Sequence, residues 1–221
     1  MKNRNCISLC LFLLFLLIPM LQAEAQRNYA VGLKAGTAGI GLEASVSITE
    51  KLNGRLAGAY FGYNTDGLIT DMDPNITYVA SASVLSIGAL ADYYPFKRLL
   101  SLSAGVYYLD FEMDGDGTPA ESYTIDRRTF SPERIGRLSG TVNYGSKIAP
   151  YAGIGLGNPV SAGSPLTFKL ELGAMYTSSP KVQMEGEGMI APTANQDRKL
   201  EDGMSDFNFY PVLNLGLSYR L

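Results

Sequence analysis

Histidine is absent from all 221 residues of the chain. That absence removes Ser-His-Asp and Cys-His nucleophile arrangements at once, together with the commonest metal ligand. Cysteine is nearly absent too: the only two, Cys6 and Cys10, lie close to the N-terminus. Downstream of them there is no thiol nucleophile, no disulfide and no acceptor for a lipid. No later apolar run approaches the roughly 20 residues that a membrane-spanning helix needs. Basic groups fall short as well, 18 against 21 acidic ones. A chain of that balance is a poor partner for nucleic acid.

What is present begins with a targeting pattern. Lys2 and Arg4 precede the apolar run from Ile7 to Ile18; Pro19 breaks it, and Ala23-Glu24-Ala25 is a small-x-small cleavage site. Residues 1–25 therefore read as a signal peptide, the alternative being an uncleaved anchor, for which the run is short. Loss of Lys2, Arg4 and Glu24 leaves a mildly acidic mature chain. Residues 26–221 are enough for one domain, and no low-complexity linker divides them.

The mature sequence alternates. At its end Leu213, Leu215, Leu217, Tyr219 and Leu221 interleave with Asn214, Gly216, Ser218 and Arg220, the period of a strand with one apolar and one polar face. Similar alternation recurs over Tyr29 to Gly36, Ile40 to Ile48, Leu52 to Tyr63, the second half of Ile76 to Tyr94, Leu100 to Tyr108, Thr141 to Gly157 and Thr167 to Tyr176. The reading is all-β: an eight-stranded antiparallel transmembrane β-barrel, apolar outside, with long external loops and short periplasmic turns. The first two segments form either a hairpin or one bent strand. The stretches 64–75, 110–140 and 181–206 read as loops, with a helix start at Ser131-Pro132-Glu133-Arg134 and partial helix around 194–200. A soluble barrel or sandwich with the faces exchanged is the architectural rival. The export signal, the terminal strand and the loop asymmetry favour the membrane.

An eight-stranded barrel has a lumen that side chains alone can fill. Its inward charges are expected to be Lys34, Glu43, Arg55, Asp92, Lys169, Glu171 and Arg220, which would pair as a network or line a narrow polar conduit. Tyr60, Tyr63, Tyr93, Tyr94, Tyr107, Tyr108 and Tyr219 fall near strand ends and are expected in an aromatic girdle. Asp66, Asp71, Asp73, Asp114, Asp116 and Glu121 sit in the loops, where calcium ligation competes with plain solvation. Glu185 and Glu187 are a carboxylate pair with no setting for acid-base work. The expectation is no catalytic residue, no metal and no cofactor.

Gly216-Leu-Ser-Tyr-Arg-Leu221 resembles the C-terminal signal of barrels handled by the barrel assembly machinery, with Tyr219 and Leu221 as its aromatic and terminal residues. Leu221 replaces the usual Phe. Together with Leu33 to Glu43, Asp92-Tyr-Tyr-Pro-Phe96, Leu102 to Tyr108, Ala149 to Gly155 and Tyr210-Pro-Val212, the chain is similar to small Gram-negative outer-membrane barrels of the outer-membrane protein A and W kind, within an uncharacterised exported group. That resemblance implies a fold, the bacterial outer membrane reached through the periplasm, and contact with its lipid and lipopolysaccharide. It implies no ligand, since fold alone does not carry function. A monomer with a packed lumen, serving a structural role or loop-mediated binding and adhesion, is the leading expectation. A narrow channel for small or apolar solutes is the alternative, and a lipid-modifying enzyme is set back by the missing histidine.

Overall fold

The computed structural model describes residues 28–70, 74–96, 99–125, 128–161, 164–191 and 197–221. The signal-peptide reading lies outside these residues, as do Asp71 and Asp73. The strands are β1 (Tyr29–Gly36), β2 (Gly39–Thr49), β3 (Leu52–Ile69), β4 (Ile76–Tyr93), β5 (Leu100–Pro119), β6 (Tyr123–Ile125), β7 (Arg128–Phe130), β8 (Leu138–Tyr144), β9 (Ile148–Leu156), β10 (Leu166–Tyr176), β11 (Pro180–Gly186) and β12 (Phe209–Arg220). Among the described residues are also two short helices, α1 (Pro132–Ile135) and α2 (Asp197–Gly203).

The strands β5-β4-β3-β2-β1-β12-β10-β9 form an antiparallel ladder, and β9 pairs back to β5. That closes a ring of eight and removes every sheet edge at this level. β1 and β2 are separate strands, reversed at Gly39, whose φ of 98° suits a residue without Cβ. The outer face is apolar and open: Ile40 is 74% exposed and Phe168 75% exposed. Inside lie Arg55 at 2% and Asp92 at 0%. Apolar exterior with charged interior is the arrangement of a transmembrane barrel, in which the surroundings supply no water and the wall supplies every backbone partner.

Several boundaries differ from the sequence expectation. β3 runs past Tyr63 to Ile69, and β5 past Tyr108 to Pro119, through stretches expected to be loop. The segment expected as one strand from Thr141 to Gly157 is broken at residues 145–147 into β8 and β9, both paired to β5. Its neighbour breaks at the same height, where the Ser146 amide donates to Ser178 Oγ at 2.8 Å. Beyond that break β11 pairs with β8, so part of the expected loop 181–206 is sheet. The helix start at Ser131 is realised as one turn, although the Ser131 hydroxyl makes no capping bond.

On one side the wall stops early. β2 pairs with β3 no further than Ile40 opposite Tyr60, and β12 begins at Phe209. On the other side β3, β4, β5, β8 and β11 continue upward as a five-stranded sheet. The extra nine residues of β3, Phe61 to Ile69, extend it by roughly 30 Å along the strand at ~3.3 Å per residue.

Candidate functional site

Two places concentrate the chemistry: the lumen, and the sheet raised above the ring.

Six of the seven expected lumen charges converge. Arg55 on β3 is their hub. Its Nε and Nη2 donate to the two Asp92 oxygens at 2.9 and 3.0 Å, and its Nη1 and Nη2 donate to the two Glu171 oxygens at 2.8 Å each. Nη1 also donates to Glu43 at 3.4 Å. Lys169 Nζ donates to Asp92 at 2.8 Å, and Lys34 Nζ lies over the Tyr107 ring, 5.6 Å from its centroid. Three cations thus balance three carboxylates, all buried. Paired and multiply hydrogen-bonded, these charges avoid the cost that an isolated buried ion would carry.

The seventh, Arg220, is placed elsewhere. It lies half-buried at the periplasmic end and donates to the Ser161 carbonyl at 2.8 Å. Three hydroxyls that sequence reasoning did not assign complete the network: Ser103 donates to Asp92 at 2.6 Å, Ser218 to Glu43 at 3.0 Å, and Tyr151 to Glu171 at 2.5 Å. Each occupies an inward phase of its strand, so the alternation itself was the available signal.

Above and below, the lumen is filled. Tyr107 and Tyr151 meet edge to face, with centroids 5.4 Å apart. They fit because Gly88 lies beneath the Tyr107 ring and Gly153 and Gly173 lie beneath Tyr151, where a Cβ would collide with the aromatic side chain. Leu109, Met175, Val212, Val84 and Ala149 pack over them. Phe111 with Tyr144 and Tyr210 then forms an aromatic floor at the level where the ring ends. On the periplasmic side the turn after β9 folds inward: Pro159 and Val160 are buried, Asn53 Nδ2 donates to Asn158 Oδ1 at 3.0 Å, and the Tyr94 hydroxyl donates to the Gly157 carbonyl at 3.2 Å. The gap beside Lys34, Glu43, Lys169, Glu171 and Asn214 is too small for a water molecule. Tyr94 and Tyr107 are therefore interior residues, correcting their place in the aromatic girdle, and Tyr63, although exposed, stands on the inward face of the raised sheet; Tyr60, Tyr93, Tyr108 and Tyr219 are exposed on the outer face. All three exceptions fall on the inward phase, and the two within the ring are buried by it.

The raised sheet reverses the polarity of the wall. Its ladders run without a register shift, so each strand keeps the same face inward as it leaves the ring. The inward set becomes Phe61, Tyr63, Tyr78, Ala82, Met113, Val142 and Met184, with no charged residue among the inward positions of β3, β4, β5, β8 and β11 beyond the ring. The outward set carries Asn64, Asp66, Ser81, Glu112, Asp114, Asp116, Ser139 and Thr141, with Leu68 and Val79 exposed among them. Thr141 Oγ1 donates to Asp114 at 2.7 Å, and Arg137 Nη2 pairs with Asp116 at 3.0 Å. The Ser139 hydroxyl, and after it Arg137, hold the Asp116 carboxyl below the usual carboxylate range. These acids are thus committed to neighbours in the sheet. Among the described residues no group of three or more His, Cys, Asp or Glu is arranged to hold a metal.

No protein-family model and no curated protein matches the chain by sequence. Its fold does match solved structures. CarO2 of Acinetobacter baumannii superposes with a TM-score of 0.60 at 19% identity, over 89% of this chain and 100% of that one. CarO of the same organism gives 0.56 at 20% identity, over 86% of this chain and 96% of that one. The architecture is accordingly that of small outer-membrane barrels, an eight-stranded transmembrane ring with its long excursions on one side.

Proposed function

We propose that this protein is a non-enzymatic barrel of the bacterial outer membrane, whose lumen is a packed scaffold and whose work is binding at the raised sheet and its loops. The observation that carries the reading is the Arg55 network. A guanidinium that spends its donors on Glu43, Asp92 and Glu171 ties strands β2, β3, β4 and β10 across the lumen, and the layers above and below it are filled. Such a core rigidifies a wall and leaves no axial path. In this reading the mature chain crosses the periplasm after loss of residues 1–25, Tyr219 and Leu221 present its end to the barrel assembly machinery, and the monomer stands in lipid and lipopolysaccharide.

Release of entrapped solutes from proteoliposomes tests the proposal. Vesicles holding the folded protein, verified by heat-modifiable gel migration, are expected to retain a potassium-sized ion and a neutral sugar as long as protein-free vesicles do. Rapid, selective loss of either would replace the scaffold reading with a narrow channel.

A further inference from the structure

Above Phe61 the strand β3 is paired on one side only. Its ladder with β4 runs unbroken to Ile69 opposite Ile76, whereas β2 leaves it at Ile40 opposite Tyr60. Among the described residues none bonds to the backbone of 62–69 on the side away from β4. In an antiparallel ladder every second residue turns both its N–H and its C=O away from the partner strand, so this edge presents main-chain donors and acceptors over ~26 Å. The other edge of the same sheet is closed: β11 opens with Pro180, its Val182 amide donates to Glu201 of α2 at 3.0 Å, and Lys181 pairs with the same carboxylate. Proteins blunt an open edge with lysine, proline or a bulge, and residues 62–69 have none of the three. We infer that the raised edge of β3 is a docking strand for an extended segment of another polypeptide, about eight residues long, added from outside the cell as a further strand of the sheet. The inference deepens the binding role proposed for the raised sheet and rests on it.

The side chains along the edge define what fits. Tyr63, Thr65 and Ile69 share the inward face and carry no charge, so the incoming strand needs uncharged residues at alternate positions there. On the other face stands Asp66, in one row with Val79 of β4 and Asp116 of β5. Asp116 already holds Arg137, whereas among the described residues Asp66 holds no cation. A lysine or arginine opposite Asp66 is the complementary choice. A second copy of this chain is the wrong occupant. Standing in the same membrane, it brings its own β3 alongside in parallel and at equal height, and Asp66 then meets Asp66 across the new ladder, where like charges repel. The partner is accordingly an unlike chain, alternating uncharged and polar residues, with a basic side chain on its polar face.

Two capped peptides test the edge, each about eight residues of alternating valine and threonine, with lysine in place of one threonine in the first and glutamate in the second. Both carry a fluorescent label and carbon-13 carbonyls, and both are titrated against the folded, full-length mature protein in phosphatidylcholine vesicles. The lysine peptide is expected to bind saturably and to acquire the coupled carbonyl infrared band of a strand in a sheet, and the glutamate peptide to bind about fivefold more weakly. Asp66→Lys, a change at an exposed side chain, should reverse that preference. A lysine peptide methylated at every backbone nitrogen has no donors to offer and should not bind. Binding that survives methylation, a preference unmoved by Asp66→Lys, or no saturable binding of either peptide overturns the inference. Self-pairing overturns it as well: disulfide dimers of Thr65→Cys under mild oxidation, in a mature chain with no other cysteine, identify the occupant as a second copy. These results are separable from solute release: a leaky barrel defeats the scaffold reading, whereas a tight barrel that binds no peptide defeats only this inference.

Discussion

Arg55 and Glu171 stand 116 positions apart in the chain, yet Nη1 and Nη2 of one meet both carboxylate oxygens of the other at 2.8 Å. With the two bonds to Asp92 and the one to Glu43, each of the five N–H groups of the guanidinium has an acceptor. The planar fork of arginine is the side chain that matches such an arrangement, and lysine is no substitute for it.

Removing this hub should be costly. Arg55→Met leaves Glu43, Asp92 and Glu171 buried with too few cations, and the expected destabilisation is about 3–5 kcal/mol. Arg55→Lys keeps the charge but has three donors in place of five, and should fall between the variant and the native protein. The urea concentration at which the folded, fast-migrating band disappears reads the difference.

The tyrosine layer depends on glycines of neighbouring strands. Gly88→Val places branched carbon where the Tyr107 ring lies, and overpacking of this kind costs about 1–3 kcal/mol. Shortening the ring in the same chain, Gly88→Val with Tyr107→Leu, should recover part of that loss. Additive losses in the double variant would mean that the two residues do not touch.

At the periplasmic mouth Val160 is buried behind the Asn53–Asn158 hydrogen bond. A Val160→Cys thiol should resist a membrane-impermeant maleimide in the folded protein. Adding Asn158→Ala, which removes the acceptor holding the turn, should raise its labelling rate while solute retention stays intact, because the charged layer above is untouched.

Asp116 gives a pH-dependent reading outside the membrane. Its carboxyl titrates below the ordinary range through Ser139 and Arg137, so the pair supports the raised sheet above the ordinary carboxylate pKa and loses that support as pH falls through the depressed value. Ser139→Ala should move the Asp116 carboxyl titration, followed by carbon NMR, to higher pH. An unchanged titration would contradict the hydrogen bond as its cause.

Much of the ring could be read from period-two alternation, because a wall between lipid and a filled lumen imposes opposite demands on successive residues. Lys34, Glu43, Arg55, Asp92, Lys169 and Glu171 share one phase of that alternation, and it is the buried one. Arg220 shares their phase but sits at the strand end, where the inward direction opens onto the periplasmic turn rather than the lumen. The raised sheet was not legible for a related reason. Above the ring both faces meet water, so Asn64-Thr65-Asp66-Gly67 and Asp114-Gly-Asp116-Gly read as loop chemistry, although cross-strand pairing with β4 and β8 holds them extended. Register, and with it the reversal of polarity, belongs to the partner strands and not to the segment alone.

Planar-bilayer conductance of the refolded mature protein addresses the sealed lumen most directly. The native barrel should insert and remain silent at moderate voltage, and a variant that empties the network, Arg55→Ala with Glu171→Ala and Tyr151→Ala, should open small, steady steps if it folds. Steady unitary openings from the native protein, abolished or altered by changing Lys169 or Glu171, would contradict the account.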